Sequence, residues 1–184
     1  FQLNTKQTVV LYDEIKKACR LTGEENILDC YCGIGSIGLY LADQAKEVRG
    51  IDVNTDGIKD ANEFAKLNNI KNAKYYAGDT EKLLSDLIEK ENIMPDVVVV
   101  DPPRKGCDKK VLESIIEAKP DKIIYVSCSP QSLARDVGIL VDKLKYEENK
   151  KYSNDENRDA FYCWKKVTDQ ELRDGSVSIK MRRP

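Results

Sequence analysis

Cys128 stands between two serines and before a proline, at the end of the apolar run Ile123-Ile124-Tyr125-Val126. That run reads as a buried strand, and Gln131-Ser132-Leu133-Ala134-Arg135-Asp136 opens a helical pattern. The thiol is therefore expected at the carboxyl end of a strand, just before a helix N-terminus. Ligands of open α/β sheets bind along that edge. Backbone amides and the helix dipole there favour an anion and raise the thiolate fraction of a cysteine. The competing reading is a small buried hydrophobe, the role most free cysteines fill. No histidine occurs in the chain, so neither a Ser-His nor a Cys-His dyad can form. A nucleophilic Cys128 needs another group to handle protons, or an electrophile that reacts without one.

A second group of residues points to a nucleoside. Gly33-x-Gly35-x-x-Gly38 follows the apolar stretch Asn26 to Cys32 and opens a helix. Glycines there allow a tight turn and close approach of a ligand. Asp52 ends the next strand, about 20 residues on, where an acid accepts from ribose hydroxyls. A glycine-rich turn with a capping aspartate is the alternative. NAD and S-adenosylmethionine both use this layout. With the sulfonium cofactor, Asp79 would meet the adenine amino group and Asp101 the amino-acid end. Asp79 reads equally well as a turn residue after Gly78. Asp101-Pro102-Pro103-Arg104 favours methyl transfer, because paired prolines fix a rigid path off a central strand and hold the carboxylate at the pocket floor.

These groups need a scaffold. At 184 residues, with 41% apolar and 34% charged content, the chain is expected to be one globular domain, residues 1–184. Strands at Asn26–Cys32, Val48–Asp52, Ala73–Tyr76, Val97–Val100 and 123–127 alternate with helices. The first helix follows an extended Phe1-Gln2-Leu3-Asn4, buries Val9 and Ile15, and ends at Gly23. The last ends near Leu144. Alternation of this kind predicts an α/β fold, Rossmann-like, with a mostly parallel sheet and helices on both faces. Tyr31, Asp52, Asp79, Asp101 and Cys128 then share one sheet edge. From about residue 146 the composition turns polar, with a strand expected at Phe161–Trp164 and an edge strand at Ser176–Met181.

Six cysteines without a C-x-x-C pair are expected to be reduced, in a cytoplasmic protein that binds no metal. No apolar run reaches membrane-span length. A net charge of −2 argues against a strong autonomous nucleic-acid binder but leaves room for a local basic patch, such as Arg104, Lys105, Lys109, Lys110 and Arg135.

The segments Phe1-Gln2-Leu3-Asn4, LDCYCGIGSIGLYLA, Gly50-Ile51-Asp52, VVVVDPPRKG and YVSCSPQSLARD, taken in order, resemble the RNA uracil-5-methyltransferases. The resemblance covers residues 1 to about 140. It implies a class I methyltransferase fold, S-adenosyl-L-methionine as cofactor, and an RNA substrate, rRNA or tRNA. It also implies roles for single residues. Cys128 matches the nucleophile that adds to C6 of uracil, and Asp101 also helps orient the base. Gln2, Tyr31, Gly33, Gly35, Ser36, Asp52, Asp79 and Asp101 match cofactor-contacting positions. The family usually has Asn at Ser36, Glu at Asp52 and Asn at Asp79.

The tail departs from the family, whose His-Val-Glu motif supplies the glutamate that removes the C5 proton. No such motif occurs here, and nothing singles out Glu147, Glu148, Glu156 or Glu171. The chain is expected to be the catalytic domain only, and a monomer. The rival readings are a methyltransferase acting on another substrate, a cofactor-binding module without turnover, and an NAD-dependent oxidoreductase.

Overall fold

Val97, Val98, Val99 and Val100 form a strand in which every side chain is buried. A strand can be apolar on both faces only where both faces are covered. Val97 and Val99 pack with Ile15, Ile37 and Leu41 on one side. Val98 and Val100 pack with Leu84, Val111, Leu112 and Ile115 on the other. The period of two is that of an extended chain, and it divides the molecule into helix, sheet and helix layers.

The computed structural model describes residues 5–90, 93–151, 161–165 and 179–180. The first half runs α1 (Thr5–Cys19), β1 (Asn26–Cys30), α2 (Ser36–Leu41) with a 3-10 turn (Ala42–Gln44), β2 (Glu47–Asp52), α3 (Thr55–Leu67) and β3 (Ala73–Ala77). After α4 (Thr80–Glu89) come β4 (Val97–Val100), α5 (Lys109–Ala118), β5 (Lys122–Ser127) and α6 (Pro130–Lys151), then β6 (Phe161–Lys165) and β7 (Ile179–Lys180). The sheet order is β3-β2-β1-β4-β5-β6-β7. Strands β1 to β6 are parallel, and β7 pairs antiparallel with β6. This is the Rossmann-like sheet expected from the sequence. The strand order reverses between β1 and β4, and a reversal of this kind opens the crevice in which doubly wound proteins bind ligands.

Several boundaries differ from the sequence expectation. β1 stops at Cys30, because Tyr31 takes a left-handed φ of 61°. The break leaves Cys30 and Cys32 in different apolar clusters. Helix α1 ends at Cys19, where Arg20 is left-handed, before Gly23 is reached. Its buried side is Ile15, Ala18 and Cys19, while Val9 is half-exposed. Helix α6 continues past Leu144 to Lys151. The expected strand at Phe161–Trp164 is β6, and part of the Ser176–Met181 expectation is β7. Residues 1–4, with Gln2, lie outside the described residues. Among the described residues no helix is long and apolar enough to cross a membrane.

Candidate active site

Parallel strands present their carboxyl ends along one edge. In sheet order that edge carries Asp79 after β3, Asp52 at the end of β2, Tyr31 after β1, Asp101 after β4 and Cys128 after β5. Neighbouring strands lie ~4.8 Å apart. Asp101 and Cys128 therefore leave adjacent strands, with Asp52 two spacings to the other side of Asp101.

The loop from Tyr31 to Gly35 is shaped by three left-handed residues, Tyr31 (φ 61°), Gly33 (φ 57°) and Gly35 (φ 73°). The glycines serve different ends. A Cβ on Gly33 would meet nothing within 4 Å, so this residue borders open space. A Cβ on Gly35 would come 2.6 Å from the Tyr75 ring and 2.9 Å from Ala61, so Gly35 is required by packing under the loop. The Tyr75 hydroxyl donates to the Gly35 carbonyl at 3.1 Å and holds the turn from below. Ser36 shares a 2.7 Å hydrogen bond with the hydroxyl of Tyr12 on α1.

Asp52 is tied to this loop. Its Oδ2 accepts the Gly33 backbone N–H at 2.8 Å, and its Oδ1 accepts the Asn54 N–H at 2.8 Å. The carboxylate is half-buried beside the open space at Gly33. Two carboxylate oxygens offer about four acceptor sites, so capacity for ribose hydroxyls remains. Asp79 is exposed, and it caps α4 by accepting the Glu81 N–H at 3.1 Å. The turn-residue reading of Asp79 is thus realised, at the same edge where an adenine contact was expected.

Asp29 lies beneath the helix that the glycine loop opens. It sits in mid-strand among apolar neighbours, and its side chain is completely buried. Oδ2 accepts the Gly38 N–H at 3.0 Å, whereas Oδ1 has no partner. Burial pushes its pKa up to about 7, against the Gly38 hydrogen bond, and the charges of Asp101 and Asp52 add to the rise. Three carboxyl groups thus gather around the glycine loop. A glycine facing open space beside the half-buried carboxyl groups of Asp52 and Asp101 suits a ligand that brings ribose hydroxyls and positive charge. The signal in the sequence was a charged residue inside NILDC, where a strand buried on both faces should be apolar.

Cys128 is exposed, one residue beyond β5. The buried-hydrophobe reading is therefore excluded. Its neighbours fix the turn: the Ser127 hydroxyl donates to the Ser129 carbonyl and accepts the Ser129 N–H, both at 3.0 Å. Pro130 is the first residue of α6. A proline belongs there, because its fixed φ suits the first helical turn and its missing N–H is not needed. The Ser129 hydroxyl accepts the Ser132 N–H at 3.4 Å, and its carbonyl accepts the Leu133 N–H at 3.0 Å. The serines and proline around the thiol are thus a strand-to-helix turn that leaves the sulfur in solvent.

Asp101 is half-buried, and its backbone N–H donates to the Cys30 carbonyl at 3.3 Å. Tyr31 is half-buried, and burial raises its hydroxyl pKa, with the buried Cys107 nearby as a second cause. Arg104, Lys105, Lys109 and Lys110 are exposed beside the loop. Arg135 differs: its guanidinium is committed to Asp136 and to the Lys105 carbonyl, both within 2.8 Å. Side chains at Glu147 and Glu148, and the whole of Glu156 and Glu171, lie outside the described residues.

This arrangement has close counterparts. An uncharacterized RNA methyltransferase of Bacillus cereus is 55% identical over 147 residues, which is 80% of this chain and 32% of the relative. One from Halalkalibacterium halodurans is 54% identical over 137 residues, 74% of this chain and 29% of the relative. The chain thus spans about a third of the length of these relatives. The crystal structure of Pyrococcus abyssi tRNA (uracil-54, C5)-methyltransferase, in complex with S-adenosyl-L-homocysteine, superposes with a TM-score of 0.64. It is 34% identical, over 76% of this chain and 33% of the archaeal one. The family model for tRNA (uracil-5-)-methyltransferase matches residues 3–153, which take in the glycine loop, the Asp101 loop and Cys128. The chain belongs to the tRNA (uracil-5-)-methyltransferase family.

Proposed function

We propose that residues 1–184 are a single methyltransferase domain that transfers a methyl group from S-adenosylmethionine to C5 of a uridine in rRNA or tRNA, through a covalent bond from Cys128 to C6. Asp52 and the Gly33 backbone would hold the ribose, and Asp79 the adenine side. Asp101 would face the charged amino-acid end, with Tyr31, Ser36 and Gln2 as further contacts, while the fully buried Asp29 would act only through the Gly38 amide it holds. When bound, the cofactor supplies a methyl group on a sulfonium, an electrophile that needs alignment but no further activation.

Uracil C5 is a weak nucleophile. Addition of the Cys128 thiolate to C6 moves the 5,6-double-bond electrons onto C5 and O4. C5 then takes the methyl group. Loss of the C5 proton to a base restores the double bond as the sulfur leaves C6, so one hard step is divided into easier ones. Asp101, just after the adjoining strand, would orient the uracil edge beside the sulfur. The target base must leave its stack to enter.

The observation that carries this reading is the exposure of Cys128 just after β5, next to the strand that Asp101 follows, along the edge that holds the glycine loop. The test is RNA containing 5-fluorouridine, incubated with the chain and S-adenosylmethionine. After methylation C5 carries fluorine in place of the proton, elimination stops, and the sulfur stays on C6. The trap needs no proton-abstracting base, so it reports on the nucleophile alone. A denaturation-stable protein–RNA adduct that disappears in C128A is expected. No adduct, or one that persists in C128A, overturns the reading.

A further inference from the structure

Resting on the uridine reading above, we propose that Asp136 is a positioning residue: it locks the loop from Asp101 to Cys107 onto α6 and so sets the gap between Asp101 and Cys128. The side chain of Asp136 is completely buried, so it cannot touch a substrate. Its Oδ2 accepts the Cys107 backbone N–H at 2.8 Å and the Tyr125 hydroxyl at 2.6 Å. Its Oδ1 accepts Nε of Arg135 at 2.7 Å and Nη2 at 2.7 Å. That guanidinium also donates to the Lys105 carbonyl at 2.8 Å. Between the two tethers lies Gly106, with φ 86° and its N–H on the Pro103 carbonyl at 2.8 Å. A Cβ on Gly106 would run into the Arg135 and Asp136 side chains and come 3.0 Å from Ser132. Lys105, Gly106 and Cys107 are thus pressed onto α6 at three consecutive residues.

The three segments joined here are the ones whose spacing matters. Tyr125 is on β5, three residues before Cys128; Asp136 is on the helix that follows Cys128; Cys107 closes the loop that Asp101 opens. Pairing between β4 and β5 ends at Val100 and Tyr125, so the ladder itself does not extend to Asp101 and Cys128. A buried carboxylate is expensive to desolvate, and an apolar side chain would fill the same space without that cost. An apolar side chain would not hold a loop amide, a strand hydroxyl and a guanidinium at fixed distances. Reactions between prealigned groups depend steeply on such distances.

The test measures three quantities in the full chain: hydrogen exchange of residues 103–107, the rate of adduct formation on 5-fluorouridine RNA, and S-adenosylhomocysteine affinity by calorimetry. In D136A, exchange in the loop is expected to rise at least tenfold while β4 stays protected. Adduct formation should slow at least thirtyfold, with cofactor affinity within twofold of wild type. D136N keeps an acceptor for Cys107 and Tyr125 and should bring both rates to within fivefold of wild type. Unchanged loop exchange in D136A would overturn the clamp, and so would equal losses of cofactor affinity and adduct rate. Should D136A not fold, R135Q decides: the glutamine amide can still donate to the buried Asp136 while the donation to the Lys105 carbonyl is lost, and normal loop exchange there overturns the proposal. A wild-type chain that forms no adduct refutes the uridine chemistry instead, and the exchange result still decides the clamp.

Discussion

The Gly33 backbone N–H donates to Asp52 Oδ2 at 2.8 Å, across 19 residues of sequence. The acid that the ribose reading assigns to the cofactor is therefore also the brace of the glycine loop. Two functions on one carboxylate make its removal more costly than the loss of a single ligand contact. D52A would leave the Gly33 and Asn54 amides without their acceptor and remove the ribose contact together. A hydrogen bond to a charged group contributes about 1.5–3 kcal/mol. S-adenosylhomocysteine affinity in D52A should fall roughly 30-fold or more, for a loss of about 2 kcal/mol. D52N, which keeps one acceptor oxygen, should lie between. Calorimetric titration measures both, and unchanged affinity in D52A would remove Asp52 from the site.

Cys128 gives the opposite separation, function without stability. The side chain is exposed, and the turn around it is held by Ser127 and Ser129. C128A should change folding stability by less than about 0.5 kcal/mol, as substitutions on open surface do. Cofactor affinity should also be unchanged, while methylation of RNA is abolished. Paired denaturant melts and methyl-transfer assays read this split. A large stability loss would mean that the sulfur packs in the interior after all.

The strand-helix alternation, the shared edge and the place of Cys128 on it are all legible in the sequence. Each rests on a local pattern: an all-valine strand, an acid at a strand end, a cysteine before Pro130. Asp29 and Asp136 were not legible as hubs, because their meaning lies in what reaches them from elsewhere. Gly38 reaches Asp29 from nine residues away, and Cys107 reaches Asp136 from 29. Arg135 reads from its charge as part of a basic patch, whereas the structure commits it to Asp136 and to the Lys105 carbonyl 30 residues earlier. β1 ends two residues before the sequence pattern predicts, because Tyr31, a good strand former, takes a left-handed turn there. That turn serves the loop, and tertiary context overrides propensity at such a position.

The glycines of the loop should separate in mutagenesis. Gly33 and Gly35 both have positive φ, so alanine at either position costs about 1–2 kcal/mol in backbone strain. At Gly35 the new methyl also strikes the Tyr75 ring and Ala61, and overpacking of this kind costs about 1–3 kcal/mol more. At Gly33 the methyl enters open space. G35A should therefore lose more stability than G33A, and G33A should lose more cofactor affinity per unit of stability lost. Urea melts combined with S-adenosylhomocysteine titrations test the pair. Equal stability losses would place both glycines in the same environment, against the structure.

Asp29 makes stability depend on pH in the direction opposite to a salt-bridged acid. Its pKa is raised from 3.8 to about 7 by burial, with Asp101 and Asp52 adding repulsion and Gly38 opposing. Below about pH 4 the carboxyl is protonated in both the folded and unfolded chains, and burial carries no ionisation cost. Between about 4 and 7 the unfolded chain releases the proton while the folded chain keeps it, so stability falls as pH rises. Above about 7 the folded form ionises too, and the cost is constant. D29N cannot ionise, so its stability relative to wild type should grow by on the order of 3 kcal/mol between pH 5 and pH 8. Burial, with the Asp29 charge as a lesser cause, raises the pKa values of Tyr12 and Tyr75, which stay neutral across this range. Urea melts of both proteins at pH 5, 6, 7 and 8 provide the comparison. A difference that stays flat across that range would show Asp29 ionised throughout, with a partner for Oδ1 that outweighs its burial.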